Sequence, residues 1–174
     1  MSIEHTLDSN DAVVLGPGEG RHLSFLGHLA TVKVAAAGTR SMSVVEFLAP
    51  KGFGPPEHRH NNEDELFVIL EGEITYSLAG DEMAGPAGSV ACLPHGVPHT
   101  FQVVSETARI LNVTTSLTGV PRFDDMVTAL GEPTERLTIP EPTYIDPSRV
   151  AEVCAAHDID IVGPPPGTIT SARS

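Results

Sequence analysis

Two segments of this 174-residue chain limit its fold more than any others: Gly52-x5-His58-x-His60-x4-Glu65-x6-Gly72 and Gly88-x5-Pro94-x-Gly96-x2-His99. Side chains alternate faces along a strand, so His58 and His60 project to one side and Arg59 to the other. Glu65 stands five residues beyond His60, an odd offset that would put it on the wrong face of an unbroken strand. A turn is therefore expected at Asn61-Asn62-Glu63-Asp64, leaving Glu63 and Asp64 as solvated turn carboxylates or, as the alternative, in contact with a ligand histidine, and bringing Glu65, Phe67 and Ile69 onto the inner face. In the second segment Pro94, Gly96 and Pro98 mark a corner, with His95 as a turn residue. His99, Phe101 and Val103 then point inward, and Thr100 and Gln102 outward.

Three neutral imidazoles and one carboxylate suit an open, reactive divalent metal. Four protein donors leave one or two positions of an octahedral ion for water, dioxygen or a substrate oxygen. A structural zinc site is typically closed and richer in cysteine, so this ion is expected to do chemistry or capture a ligand. The donors accept Fe, Mn, Co, Ni, Cu or Zn and do not choose among them.

The rest of the chain has to fold around that centre. Sixteen glycines and 15 prolines punctuate short apolar runs from about residue 22 to 118, the pattern of a barrel or sandwich of short strands. The expected strands are His22 to Gly27, Ala30 to Ala36, Ser43 to Leu48, Glu65 to Leu70, Glu73 to Leu78, Ser89 to Leu93, His99 to Val104 and Arg109 to Thr114. Alternation is clearest at Ile74, Tyr76 and Leu78. Leu70-Glu71-Gly72-Glu73 reads as a hairpin corner.

Beyond Gly119 the period changes. Phe123, Met126, Val127 and Leu130 fall at helical spacing within Pro121 to Leu130, and Asp146-Pro147 starts a second helix carrying Val150, Val153, Cys154 and His157 on one face. The chain thus divides into an N-terminal arm (1–20), an all-β barrel (21–118), a short helical extension (119–162) and a proline-rich tail (163–174) that is disordered or follows the surface.

A formal charge of −13 argues against nucleic acid or an anionic membrane as partner and leaves small molecules. No apolar run reaches the roughly 20 residues of a membrane span, and the start MSIEHTLDSN lacks a signal-peptide pattern, so a cytoplasmic location is expected. Cys92 and Cys154 read as reduced, partly buried, inert thiols. His5, His22, His28 and His157 are expected at the surface or rim.

GFGPPEHRHNNEDELFVILEG and GSVACLPHGVPH resemble the two cupin motifs in every spacing given above. With RHLSFLGHLATVKVAAAGTR and ARILNVTTS, the chain is similar to single-domain cupins described as quercetinase-like over roughly residues 20–131. The resemblance implies a small β-barrel (a double-stranded β-helix, or jelly roll), homodimerisation, and one metal ion on His58, His60, Glu65 and His99. In flavonol-cleaving relatives the residue matching Glu65 is both a metal ligand and the acceptor of the substrate's hydroxyl proton, and both roles carry over to Glu65. The second motif often ends in Asn where this chain has Val103, which changes pocket polarity but no ligand.

The function expected is a metal-dependent dioxygenase acting on an enolic or phenolic, flavonol-like aromatic. The alternatives are a non-redox isomerase, cyclase or lyase that uses the ion as a Lewis acid, and a small-molecule-binding protein without turnover. Phe47, Phe67, Phe101 and Val103 are the expected pocket walls, and Phe123 and Met126 sit on a helix that caps the barrel or serves as its lid.

Overall fold

Strict alternation builds the centre of the structure, a computed structural model that describes residues 12–39 and 41–167. In β3 (Met42–Pro50), β5 (Glu63–Glu71) and β10 (Thr107–Ser116), buried side chains recur at every second position through most of each strand. β10 lies between the other two, antiparallel to both, so that Ile110 stands opposite Phe47 on one side and Ile69 on the other. The flanking strands are β1 (Arg21–Phe25), β2 (His28–Val34), β8 (Val90–Leu93) and the two-residue β11 (Glu132–Pro133), giving a seven-stranded sheet in the order β11-β1-β2-β3-β10-β5-β8.

The second sheet holds β12 (Ile159–Ile161), β4 (His58–His60), β9 (His99–Val103), β6 (Glu73–Leu78) and β7 (Asp81–Pro86), in the order β12-β4-β9-β6-β7. Val45, Phe47, Phe67, Ile69 and Ile110 of the first sheet and Ile74, Tyr76, Phe101 and Val103 of the second are all buried in one core. Phe67 and Phe101 meet edge to face across the sheets, with ring centroids 5.6 Å apart. Burying each such side chain contributes about 1.5–3 kcal/mol. The result is an all-β jelly roll with short helices, as the strand pattern predicts.

The helices are α1 (Ala36–Thr39), α2 (Phe123–Leu130) and α3 (Pro147–Ala156). Asp146 caps α3 by accepting from the Ser148 backbone N–H at 2.9 Å, which satisfies one free donor of the first turn. α2 buries Phe123, Met126, Val127 and Leu130 against the barrel. No helix among the described residues is long and apolar enough to cross a membrane.

Several elements differ from expectation. Leu70-Glu71-Gly72-Glu73 is a corner between the two sheets and not a hairpin, because β5 and β6 are not paired. Gly72 is required there: its φ is +81°, and a Cβ would lie 2.3 Å from the Thr107 carbonyl oxygen. The first hairpin is tighter than read, with β2 starting at His28 directly after a Leu26-Gly27 turn whose φ angles are 50° and 85°, the left-handed pair of a two-residue hairpin turn. β7 is not among the expected strands because DEMAGP is exposed except at Gly85 and has no apolar alternation. β12 pairs with β4, and the chain after it stays on the same edge, where the Glu57 backbone N–H donates to the Pro164 carbonyl.

Asp124, in the first turn of α2, is 2% exposed. One carboxylate oxygen accepts from the Ala36 backbone N–H at 3.2 Å and the other has no partner. Burial, reinforced by Asp125, raises its pKa from 3.8 to about 6. The folded chain therefore holds this proton more tightly than the unfolded chain, so the group's contribution to stability is present at low pH and is lost as pH rises from about 4 through 6. Asp124→Asn should melt higher than wild type at pH 7, with the gap closing toward pH 4. Thermal melts across that range check this, and a pH-independent gap contradicts it.

Candidate metal centre

β4 is only three residues long, yet its alternation settles the geometry. Arg59 turns outward to Asp160, 3.0 Å away, while His58 and His60 turn inward. His58 is the residue that pairs with His99 on β9, and their ring centroids are 4.4 Å apart. Gly96, at φ +77°, donates its N–H to the His60 carbonyl at 2.7 Å, so the corner before His99 is fastened to β4. Glu65 comes from the opposite sheet: after Asn61-Asn62 the chain enters β5, whose inner face carries Glu63, Glu65, Phe67 and Ile69.

Four donor atoms, one each from His58, His60, Glu65 and His99, all lie within 4.8 Å of one another. Each imidazole has its Nδ1 against an oxygen: Pro56 carbonyl for His58 (2.8 Å), a Glu63 carboxylate oxygen for His60 (3.2 Å) and Val97 carbonyl for His99 (2.9 Å). Those contacts fasten each ring by Nδ1 and turn its Nε2 toward the centre, the arrangement that ligating histidines adopt. The Nε2 of His60 is buried with no hydrogen-bond partner. Glu65 is held by the buried Asn112, whose Nδ2 donates to Oε1 at 2.8 Å, and its Oε2 lies 3.0 Å from His99 Nε2.

The electrostatics agree with a cation at this point. Burial would raise the pKa of Glu65, but His60 and His99 outweigh it and hold the carboxyl below the usual carboxylate range. Burial lowers His58 to about 4, helped by repulsion from His99, so this imidazole is neutral and available as a ligand. Burial also acts to lower His60, but Glu65 and Glu63 outweigh it and raise its pKa. One buried carboxylate and three inward-turned imidazole nitrogens, that of His60 without a hydrogen-bond partner, fit a divalent transition metal ion, and the donor set admits Fe, Mn, Co, Ni, Cu or Zn.

The centre borders a cavity of about 80 Å³. Phe47, Phe67, Phe101, Phe123 and Met126 line it, together with His58 and Glu65; Val103 is buried on β9 but is not part of its wall.

Four side chains differ from the sequence expectation. Glu63 is not a solvated turn residue: it is 3% exposed, and its second oxygen accepts from the Arg122 backbone N–H just before α2. Asp64 is half-buried and accepts from the backbone N–H of the exposed turn residue His95 at 2.9 Å. His28, expected at the rim, is 2% exposed and lines the cavity. His22 and His157 are half-buried, and His5 lies outside the described residues. Both cysteines are free; Cys92 is exposed and not partly buried as expected, while Cys154 is buried in the cavity wall with its thiol pushed up to about 11.

Asn112 lies outside the expected site residues, although the sequence carries a signal for it: a lone amide between inward-facing Ile110 and Thr114 needs a buried partner.

Residues 44–114 match the family model of the cupin domain. The chain is 26% identical over 151 residues to quercetin 2,3-dioxygenase of Bacillus subtilis, an alignment covering 84% of this chain and 43% of that protein. It thus spans less than half the length of the curated relative it matches. Among solved structures it is similar to KdgF from Halomonas sp. (TM-score 0.57, 16% identity, 67% of this chain and 98% of that one). It is also similar to the Cnp3 cupin domain of Schizosaccharomyces pombe (TM-score 0.54, 15% identity, 70% and 85%). At such identities these two likenesses concern the fold alone.

If Glu63 holds the His60 ring in place, Glu63→Ala should weaken divalent-metal binding by roughly 10–100-fold while Asp64→Ala leaves it unchanged. Competitive chelator titration measures this, and equal affinities in all three proteins would count against the role given to Glu63.

Proposed function

Because this chain carries a cupin domain across β3 to β10, we propose that it is a metal-dependent oxygenase, most specifically a dioxygenase of a small enolic or phenolic aromatic molecule. The observation that carries the proposal is the group of His58, His60, Glu65 and His99 at the wall of an apolar cavity. The kinship with a quercetin 2,3-dioxygenase supports the choice of chemistry. When bound, the divalent ion lowers the pKa of a hydroxyl presented to it and orients the reactants.

The chain's own residues do the rest. Asn112 ties down Oε1 of Glu65, so Oε2 is the oxygen placed to take the proton from the substrate hydroxyl. Phe47, Phe67, Phe101 and Phe123 keep water from the reacting carbon and offer faces and edges to a planar ring. Their low-dielectric surroundings strengthen every charge interaction at the centre.

Cavity size narrows the substrate. About 80 Å³ is well below the roughly 300 Å³ at which pockets begin to hold drug-sized ligands. A single-ring phenol or enol therefore fits the cavity better than a flavonol.

Elemental analysis of protein purified without chelator, paired with an oxygen electrode and a panel of enols and phenols, tests the proposal. A redox-active ion near one per chain and substrate-dependent dioxygen uptake are expected. Turnover without uptake on a zinc-loaded chain would replace the proposal with isomerase, cyclase or lyase chemistry. Glu65→Gln should lower turnover at least about a hundredfold, and undiminished turnover in that variant would remove Glu65 from the proton-transfer role.

A further inference from the structure

His28 opens β2 directly after the Leu26-Gly27 turn and is 2% exposed. Its ring is set among aromatic neighbours: Phe53 at 4.2 Å, Phe47 at 5.0 Å and Phe25 at 5.1 Å between centroids. All four residues line the cavity that also touches His58 and Glu65. Two rings link it to the metal ligands, because Phe47 lies 6.2 Å from Phe123 and Phe123 lies 5.8 Å from His60.

Packing alone does not account for a histidine here, since a phenylalanine would fill the same aromatic niche without an unmet polar atom. Burial lowers the pKa of His28 to about 3, so the ring is neutral. A neutral imidazole has one N–H to give and one lone pair to be met. The Leu26 carbonyl, two residues back, favours the ring N–H, Nδ1 is buried without a hydrogen bond of good geometry, and no hydroxyl or N–H of a described residue donates to the ring. Buried polar groups are ordinarily satisfied, and one that is left open in a cavity wall points to a ligand.

We propose that His28 is the second polar anchor of the cavity, accepting a hydrogen bond from a hydroxyl or amine at the end of the ligand remote from the metal centre. It is a positioning and selectivity residue: it favours a small phenol or enol that carries a donor on its far side over one that ends in a methyl group. This rests on the proposed metal centre for the other end of the ligand, but not on any reaction with dioxygen.

The test uses the full chain loaded with zinc, which does not oxidise the probes. The probes are 4-(hydroxymethyl)catechol and 4-(2-hydroxyethyl)catechol, each set against the analogue in which methyl replaces the hydroxyl. By calorimetry wild type should favour the hydroxyl-bearing member by roughly tenfold for at least one arm length. In His28→Phe that preference should fall to about one, with affinity for the methyl-bearing member unchanged. A second measurement needs no variant: the ring ¹⁵N signal of His28 should move on adding the hydroxyl probe and stay in place with its methyl analogue. The same preference in wild type and variant, an unmoved ring signal with the probe bound, or no binding of any catechol would each overturn the proposal. Should the preference appear in a chain that consumes no dioxygen in any metal form, the oxygenase function fails and the role of His28 stands.

Discussion

Everything in this molecule that concerns chemistry depends on three imidazole rings being turned the same way. Each has its Nδ1 fastened to an oxygen, from Pro56, Glu63 and Val97, and a ring fixed by one nitrogen has only the other to present. Two of the fastenings are backbone carbonyls two residues before the histidine in chain order, so the local path of the strand entry sets them. The third is a side chain. Glu63 joins His60 to the backbone at the start of α2, so the helix over the barrel and one of the candidate ligands within it share one carboxylate.

The fold explains why such a centre is affordable in an apolar interior. Three donors enter from one sheet and the carboxylate from the other, so the site closes only when the two sheets pack. A buried carboxylate without a counter-charge is expensive; here it sits beside His60 and His99 and is hydrogen-bonded by Asn112. The core phenylalanines that hold the sheets together also form the cavity wall, which makes core packing and access to the cavity the same physical problem.

Much of this was legible in the chain because strands have a period of two. His58, His60, Phe67, Phe101 and the central strands could be placed by alternation and by the glycine and proline punctuation between them. What could not be read was anything decided by which strand lies beside which. Alternation shows that Glu63 and Glu65 share a face once the turn is shortened to Asn61-Asn62, but not that the turn is that short. Asn112 belongs to a strand whose neighbours are set by long-range pairing, and the niche of His28 is closed by Phe47 and Phe53 from outside its own hairpin, so their surroundings were invisible even though a lone polar residue on an apolar face was a signal. β7 has almost no apolar side to show, and β11 and β12 are too short to carry a period.

X-ray absorption spectroscopy of the metal-loaded chain addresses the central claim most directly. A coordination sphere with three imidazole nitrogens and at least one oxygen, at about 2.0–2.2 Å if the ion is zinc, and reduced to two imidazoles in His99→Ala, is the predicted result. A sphere without imidazole scattering, or one unchanged when His99 is removed, would contradict the convergence of these four side chains on a single ion.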